Sequence, residues 1–245
     1  MSSSNPIGSP FIELSVIDST NNYAMGMARE GMAQHGTAVF AHAQSRGKGQ
    51  RERNWVSAEG QNLALSLVLE PTRPDMKAIF GLSITIANAA HQFLSNYIPE
   101  ELCIKWPNDI YWRDRKAAGI LIENIWQGGE WKWAIAGIGI NINQTDFGEL
   151  GKKAVSLRQI LGRSFEPIGL ARELCTAVEQ QWANRHFAPE TYYLSHLYKR
   201  DQKVRLKKAN RLFEATVRSV DELGRLVVQH AVEEHFEVGE IEWVV

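Results

Sequence analysis

The sequence predicts an α+β protein in which a large domain of strands and helices precedes a small all-β barrel. Three observations lead to this prediction. Apolar residues alternate with a period of two in several short segments, and in one long segment they recur at helical spacing. After about Lys199 only short alternating strands and turn residues follow. A chain of 245 residues can hold one large and one small domain, and we predict them at 1–198 and 199–245.

The strands and helices of the large domain follow from local patterns. Interleaved apolar residues over 11–17 predict a strand, and a Ser or Thr after it can cap the next helix, over 22–29. Leucines at every second position over 63–69 predict a strand with one buried face. Asp75 is expected to cap a helix whose apolar stripe runs from Ile79 to Tyr97. The other predicted segments are strands at 37–43, 102–106, 117–125 and 133–142 and mostly helical structure over 155–198.

The predicted barrel is made of short alternating strands near Val204, over 213–218 and 226–228, and near Phe236. Asp221–Gly224 has the composition of a hairpin loop. A unit of this size is marginal by itself, so we expect it to pack on the large domain.

Composition and charge exclude several classes of protein. Hydrophobic residues make up 44% of the chain and charged residues 22%, so a real core is expected. The net charge of -1 indicates no bulk attraction to nucleic acid or to an anionic membrane. Cys103 and Cys175 lie too far apart in sequence for a metal-binding pair, and this cysteine usage fits a reducing compartment. No signal sequence or bilayer-spanning run is present, so we expect a cytoplasmic protein.

A glycine-rich basic loop, Gly47–Trp55, follows the second predicted strand. Its glycines let the backbone approach a ligand closely. Its cations, together with nearby amides, can bind phosphate through charge-assisted hydrogen bonds of about 1.5–3 kcal/mol each. The spacing of a P-loop is absent. The alternative interpretation is an exposed basic loop with no ligand. The charged and amide residues concerned are Gln44, Lys48, Gln50, Arg51 and Arg53.

A second group of polar residues lies in Lys105–Asp109 and around Lys116. Pro107 ends a strand and presents Asn108 and Asp109, and a carboxylate at this point can hold Mg²⁺ or simply form an Asx turn. Lys116 can neutralise a carboxylate and a phosphate together, or can be a solvated charge near a hairpin tip. Gly119 just beyond it permits close ligand approach, or marks a strand bulge.

Alternating glycines at Gly137 and Gly139 leave one face of a strand bare, so a flat ligand can lie there. Close strand–helix packing is the commoner cause of such a pattern. Trp55 and Trp106 can stack on a base, or pack in the core. The joint occurrence of these motifs, in this order, indicates an enzyme that activates a carboxylic acid with ATP.

This ordered set resembles the biotin–protein ligases, also called biotin–[acetyl-CoA-carboxylase] ligases. The resemblance covers nearly the whole chain and implies a mixed-sheet catalytic domain of the biotin/lipoate ligase type, with helices packed on it, followed by an SH3-like barrel. It implies that biotin and ATP·Mg²⁺ give biotinyl-5′-AMP and pyrophosphate. A lysine of the biotin carboxyl carrier protein of acetyl-CoA carboxylase then accepts the biotinyl group. The motifs that carry the resemblance are Asp18–Asn21, Gln44 with Gly47–Trp55, Lys105–Asp109, Arg115–Leu121 and Gly137–Asn141.

The resemblance also implies a role for each matching residue. The biotin-binding positions are Ser19, Thr20, Asn21, Gln44, Gly47, Lys48, Gly49, Gln50, Lys116 and Gly119. The ATP-binding positions are Arg51, Arg53, Trp55, Asn108 and Asn141. The catalytic positions are Lys116, Asp109 and Arg51, and Asp109 is also the candidate magnesium ligand.

The loop departs from the family's common Gly-Arg-Gly-Arg-x-Gly-Arg pattern at two positions. Gln50 stands in place of a frequent arginine and Glu52 in place of a frequent glycine. Because Gln50 removes one positive charge, we expect biotinyl-AMP to be held less tightly.

Only about ten residues precede Phe11, so we expect no N-terminal winged-helix DNA-binding domain and no DNA partner. No membrane partner is expected either, and a homodimer is left open. Two alternatives compete with this function. A lipoate–protein ligase is disfavoured by the glycine-rich loop and the barrel. A non-catalytic nucleic-acid-binding module is disfavoured by the net charge and by Asp109.

Overall fold

Two β-sheets organise the protein, whose computed structural model describes residues 5–51, 53–71, 76–184 and 189–244. The expected helix cap at Asp75 and the substituted loop position Glu52 lie outside the described residues. A seven-stranded sheet is built from the first part of the chain, and a five-stranded sheet from the last part.

The large sheet has the order β1-β2-β3-β7-β6-β5-β4. Strands β1 and β2 are parallel because helix α1 connects them, and the other neighbours are antiparallel, so the sheet is mixed as predicted. Its strands are β1 (Phe11–Ile17), β2 (Ala38–Gln44), β3 (Leu63–Leu69), β4 (Leu102–Lys105), β5 (Asp109–Trp112), β6 (Arg115–Gln127) and β7 (Glu130–Ile140).

Helices cover both faces of this sheet. Helix α1 (Thr20–Arg29) packs on one face, against β2, β3 and β7. On the other face lie α2 (Met76–Ser95) and α4 (Pro167–Asn184). Every residue of β3 is therefore buried, whereas its leucine alternation predicted only one buried face. The remaining helices are α3 (Leu157–Leu161) and α5 (Pro189–Ser195), and a short 3₁₀ turn covers Gly148–Leu150.

The second sheet is antiparallel, with the order β11-β10-β9-β8-β12. It confirms the predicted small C-terminal β-structure and is consistent with an SH3-like domain. Among the described strands β11 and β12 are its two edges, so hydrogen bonding does not close it into the predicted barrel. Its strands are β8 (Lys203–Lys208), β9 (Arg211–Val220), β10 (Leu226–Gln229), β11 (Glu233–Phe236) and β12 (Glu242–Val244).

The second sheet packs on the large one. Trp106 donates its indole N–H to the carbonyl oxygen of Gly224 at 2.9 Å. The rings of Tyr198 and Trp243 meet edge to face, with centroids 5.5 Å apart. The domain boundary between residues 198 and 199 stays a prediction. Among the described helices, none has the length and hydropathy needed to cross a bilayer.

Candidate active site

An ion pair between Lys116 and Asp109 lies where β5 and β6 run side by side. The Nζ of Lys116 is 2.7 Å from Oδ1 of Asp109, and the two side chains are 32% and 22% exposed. The register between the strands shifts after Ile110, so that Tyr111 pairs with Lys116 while Asp109 pairs with Gly119. The bulge therefore brings the lysine back over Asp109 at the start of β5.

The three glycines of β6 and β7 form a continuous track beside this pair. Gly119 and Gly139 are register partners, and Gly137 lies further along β7. A Cβ on Gly139 would lie 2.6 Å from the indole of Trp55, and one on Gly119 would lie 2.8 Å from Nζ of Lys116. The sequence predicted a bare strand face here, but side chains of the protein itself lie on it.

Asn21 covers the end of the glycine track, since a Cβ on Gly137 would lie 2.3 Å from its Oδ1. Trp55 covers the middle, with its ring centroid 5.7 Å from Nζ of Lys116. The indole nitrogen of Trp55 is buried and has no hydrogen-bond partner among the described residues. The track thus joins the Lys116–Asp109 pair to the N-terminus of α1.

A polar cluster begins at the start of α1, two residues earlier than the sequence predicted. Ser19, Thr20 and Asn21 are each less than 5% exposed. Ser19 occupies the N-cap position, yet its side chain makes no capping hydrogen bond. Thr20 donates both its backbone N–H, at 2.8 Å, and its hydroxyl, at 3.1 Å, to Oε1 of Gln44. The amide of Gln44 is thereby held in one orientation.

The basic loop folds back on itself above this cluster. Lys48 and Asn54 form an antiparallel bridge, and the N–H of Gly49 donates to the carbonyl of Arg53 at 2.7 Å. A Cβ on Gly47 would lie 2.4 Å from the carbonyl oxygen of Trp55, so only glycine fits at this crossing. The loop therefore holds Trp55 over the glycine track.

Arg51 contacts the turn that connects β11 and β12 of the second sheet. Its guanidinium donates to the carbonyl oxygens of Val238, at 2.7 Å, and Gly239, at 3.1 Å. A Cβ on Gly239 would overlap Nη2 of Arg51, 0.5 Å away. The family resemblance implied a catalytic role for Arg51, and in the structure its guanidinium binds the segment before β12. Gln50 and the exposed Arg53 lie on the same loop.

The two asparagines predicted to bind the nucleotide both donate their side-chain amide hydrogens to backbone carbonyl oxygens. Asn108 donates to the carbonyl oxygen of Ile120. Asn141 is 4% exposed and donates to the carbonyl oxygens of Lys116, at 3.1 Å, and Val155, at 3.2 Å. In the structure Asn141 therefore supports the strand that carries Lys116, because the turn after β7 buries it.

Lys105 is a buried cation that the sequence motif contained but did not explain. It is 7% exposed, and its Nζ lies 4.4 Å from the ring centroid of Tyr111 and 5.2 Å from those of Tyr198 and Trp243. Burial lowers the pKa of this lysine to about 8, partly offset by the charge of Asp109. Its position could not be read from the sequence, because Trp243 is more than a hundred residues away.

The donors near Asp109 do not fit a metal site built by the protein. Oδ1 of Asp109 is engaged by Lys116, and the described residues contain no group of three or more acidic, His or Cys side chains that could hold a metal. Magnesium in ATP-using sites commonly takes one or two carboxylates and several phosphate oxygens. We therefore derive no step that depends on a metal held by this chain.

Comparison with known proteins decides the family. The profile of the Biotin/lipoate A/B protein ligase family matches residues 13–141. The Escherichia coli (strain K12) bifunctional ligase/repressor BirA is 32% identical over 225 residues, which cover 88% of this chain and 68% of that protein. The chain belongs to the biotin/lipoate A/B protein ligase family. The resemblance seen in the sequence is thus confirmed.

Other members of this family agree in sequence and in fold. The Mycobacterium tuberculosis biotin–[acetyl-CoA-carboxylase] ligase is 26% identical over 235 residues, which cover 89% of this chain and 84% of that protein. The structure of the Aquifex aeolicus biotin protein ligase in complex with biotin and ATP has a TM-score of 0.79 at 22% identity. The matched region covers 96% of this chain and 99% of the Aquifex aeolicus chain. The predicted fold class is confirmed.

Proposed function

We propose that this family member is an ATP-dependent biotin–protein ligase that forms biotinyl-5′-AMP and transfers biotin to a lysine of a carrier protein. The single observation that carries the proposal is the Lys116–Asp109 pair, 2.7 Å apart, at the end of the glycine track. Relatives named biotin–[acetyl-CoA-carboxylase] ligase support the choice of biotin and of acetyl-CoA carboxylase as the enzyme that supplies the acceptor.

In the first step, a carboxylate oxygen of biotin attacks the α-phosphorus of ATP and pyrophosphate leaves. Both reactants are anions, so a cation between them lowers the repulsion as they approach. We propose that Lys116 supplies this charge, since its side chain is about one third exposed and its Nζ lies 5.7 Å from the ring centroid of Trp55. Arg51 and Arg53 are proposed to bind phosphate when the loop closes. Arg51 must then release the carbonyl oxygens of Val238 and Gly239.

In the second step, the acceptor amine attacks the carbonyl carbon of the adenylate, and AMP leaves. The amine must first lose a proton, because an unperturbed lysine has a pKa near 10.4. Asp109 is the proposed proton acceptor or orienting group. When Lys116 binds the substrate, Oδ1 of Asp109 becomes available for this role.

The ring of biotin is proposed to lie at the start of α1. Its ureido group has one carbonyl acceptor and two N–H donors, which suit hydroxyl and amide side chains. Ser19, Thr20 and Gln44 are such groups, and they are gathered at the loop end of β2. ATP is proposed to arrive with its own Mg²⁺, held mainly by its phosphate oxygens.

A cytoplasmic location belongs to the same proposal, since the reaction consumes ATP. The two cysteines are free, and burial raises the pKa of each thiol to about 12, so neither is expected to be a reactive thiolate. The net charge of -1 supports neither a DNA nor a membrane partner.

The nearest alternative is a lipoate–protein ligase, because the family profile includes both activities. Purified protein is incubated with ATP and either biotin or lipoate, and pyrophosphate release is measured. We expect release with biotin alone, and transfer of label from biotin to an apo biotin carboxyl carrier domain. Release with lipoate alone would establish the alternative, and release with neither acid would contradict both.

A further inference from the structure

A series of hydrogen bonds connects the polar cluster to Ser66 and Glu123, two residues outside the sequence motifs. Ser66 on β3 is fully buried, and its Oγ lies 2.6 Å from Oδ1 of Asn21 and 2.8 Å from Oγ1 of Thr20. On the far side of Asn21, Nδ2 donates to Oε2 of Glu123 on β6 at 2.8 Å. With the hydrogen bonds from Thr20 to Gln44, this series of hydrogen bonds connects four elements: β6, α1, β3 and β2.

The charge of Glu123 sets the direction of this series of hydrogen bonds. An ionised carboxylate only accepts hydrogen bonds, so Asn21 must turn its N–H₂ toward it. The amide oxygen of Asn21 then faces Ser66. The single hydroxyl proton of Ser66 is shared between Oδ1 of Asn21 and Oγ1 of Thr20. Thr20 in turn directs its N–H and its hydroxyl to Oε1 of Gln44. Each amide therefore has one orientation, although an amide alone can flip.

The last group in this series of hydrogen bonds is the side-chain N–H₂ of Gln44. No described residue accepts a hydrogen bond from it, and it lies against Gly47, where a Cβ would be 3.0 Å away. A urea carbonyl can accept from this fixed donor, whereas a dithiolane ring offers only weak sulfur acceptors. A site that holds a polar group ready rejects a ligand that cannot pair with it.

We infer that Ser66 and Glu123 are positioning residues that lock Asn21, Thr20 and Gln44 in the arrangement that binds a urea head group. This inference rests on the proposed function. Glu123 has a further contact, which links the polar cluster to the basic loop: its Oε1 lies 3.6 Å from Nζ of Lys48. The same carboxylate thus orients Asn21 with one oxygen and attracts the basic loop with the other.

The test uses Ser66→Ala and Glu123→Gln, with Ser83→Ala as the matched control. Ser83 is a half-buried hydroxyl that donates to the carbonyl oxygen of Ile79 in its own helix. ATP–pyrophosphate exchange gives KM and kcat for biotin and for desthiobiotin, which keeps the urea and lacks the thioether ring. We expect Ser66→Ala and Glu123→Gln to raise KM for both acids by about tenfold, with kcat within about threefold of wild type. Ser83→Ala should match wild type.

Thermal melting establishes that the variants are folded, and Glu123→Gln carries the test alone if Ser66→Ala does not fold. Folded variants whose KM stays within about twofold of wild type would overturn the inference. So would a rise in KM for biotin but not for desthiobiotin, since the series of hydrogen bonds would then read the sulfur ring. Wild-type protein that is inactive with biotin would instead overturn the proposed function.

Discussion

Lys116 and Asp109 form an ion pair whose Nζ–Oδ1 distance is 2.7 Å, so the lysine proposed to meet the substrate already neutralises a carboxylate of the protein. Lys116→Ala removes the cation between biotin and the α-phosphate, and we expect adenylate formation to fall by at least ~100-fold. Asp109→Asn keeps the shape of the site and should slow transfer to the carrier protein more than adenylation. Pyrophosphate release and label transfer, measured separately, distinguish the two steps. Wild-type adenylation in Lys116→Ala would contradict the assignment.

Gly139→Ala should displace Trp55, because the new Cβ would lie 2.6 Å from the indole ring. We expect KM for biotin or ATP to rise about tenfold, since the wall of the site must move. Trp55→Ala makes room for the methyl group, so the two changes together should cost less than their sum. The control is Gly81→Ala, where a Cβ in α2 meets no atom within 4 Å. Additive effects of the two site substitutions would show that Trp55 and Gly139 act independently.

Arg51→Ala should release the basic loop from the turn between β11 and β12. Because Arg51 supplies two hydrogen bonds to the carbonyls of Val238 and Gly239, its loss should speed amide hydrogen exchange over 236–241. Mass spectrometry of exchanged peptides gives the rates. Arg53→Ala is the matched control, because this exposed loop arginine makes no described side-chain bond to that segment. Equal exchange in wild type and Arg51→Ala would show that the contact contributes nothing in solution.

Gln50→Arg should slow the escape of biotinyl-AMP. The substitution adds one cation to a loop that already carries Lys48, Arg51 and Arg53, and so strengthens attraction to the adenylate phosphate. Rapid dilution of the complex, followed by capture of free adenylate, measures the off-rate. The off-rate should fall several-fold, and identical rates would mean that the missing arginine is already compensated by its neighbours.

His91 should make the protein less stable at acidic pH. It is 2% exposed on α2, and burial followed by the nearby His196 lowers its pKa to about 4. The unfolded chain takes up this proton near pH 6.5, before the folded protein does. Stability should therefore fall as pH drops from about 6.5 to about 4, by up to ~3 kcal/mol.

Urea unfolding at pH 7, 5.5 and 4.5 measures this dependence, and His91→Gln should flatten it. The variant keeps a polar group near the Tyr192 hydroxyl, which lies 2.8 Å from Nδ1 of His91. Parallel pH curves for wild type and His91→Gln would assign the acid sensitivity to other groups.

Several motifs that are distant in sequence lie together in the structure, and each could be recognised because it is local. Pro107 and the glycines at 119, 137 and 139 mark where strands turn or approach other groups, and these constraints operate within a few residues. Lys116, Asp109 and the glycine track accordingly lie together in the structure. The start of α1 was predicted two residues late, because a single Ser or Thr does not fix which residue is the cap.

The sequence by itself determined the two β-rich regions, the helix positions and the family, since periodicity, turn residues and ordered motifs are all written along the chain. Only the tertiary structure decided which distant residues share a site. Ser66 and Glu123 join Asn21 across separate strands, Trp243 covers Lys105, and Arg51 binds the turn between β11 and β12. Such contacts arise because strand register and sheet packing bring side chains together irrespective of their separation in sequence.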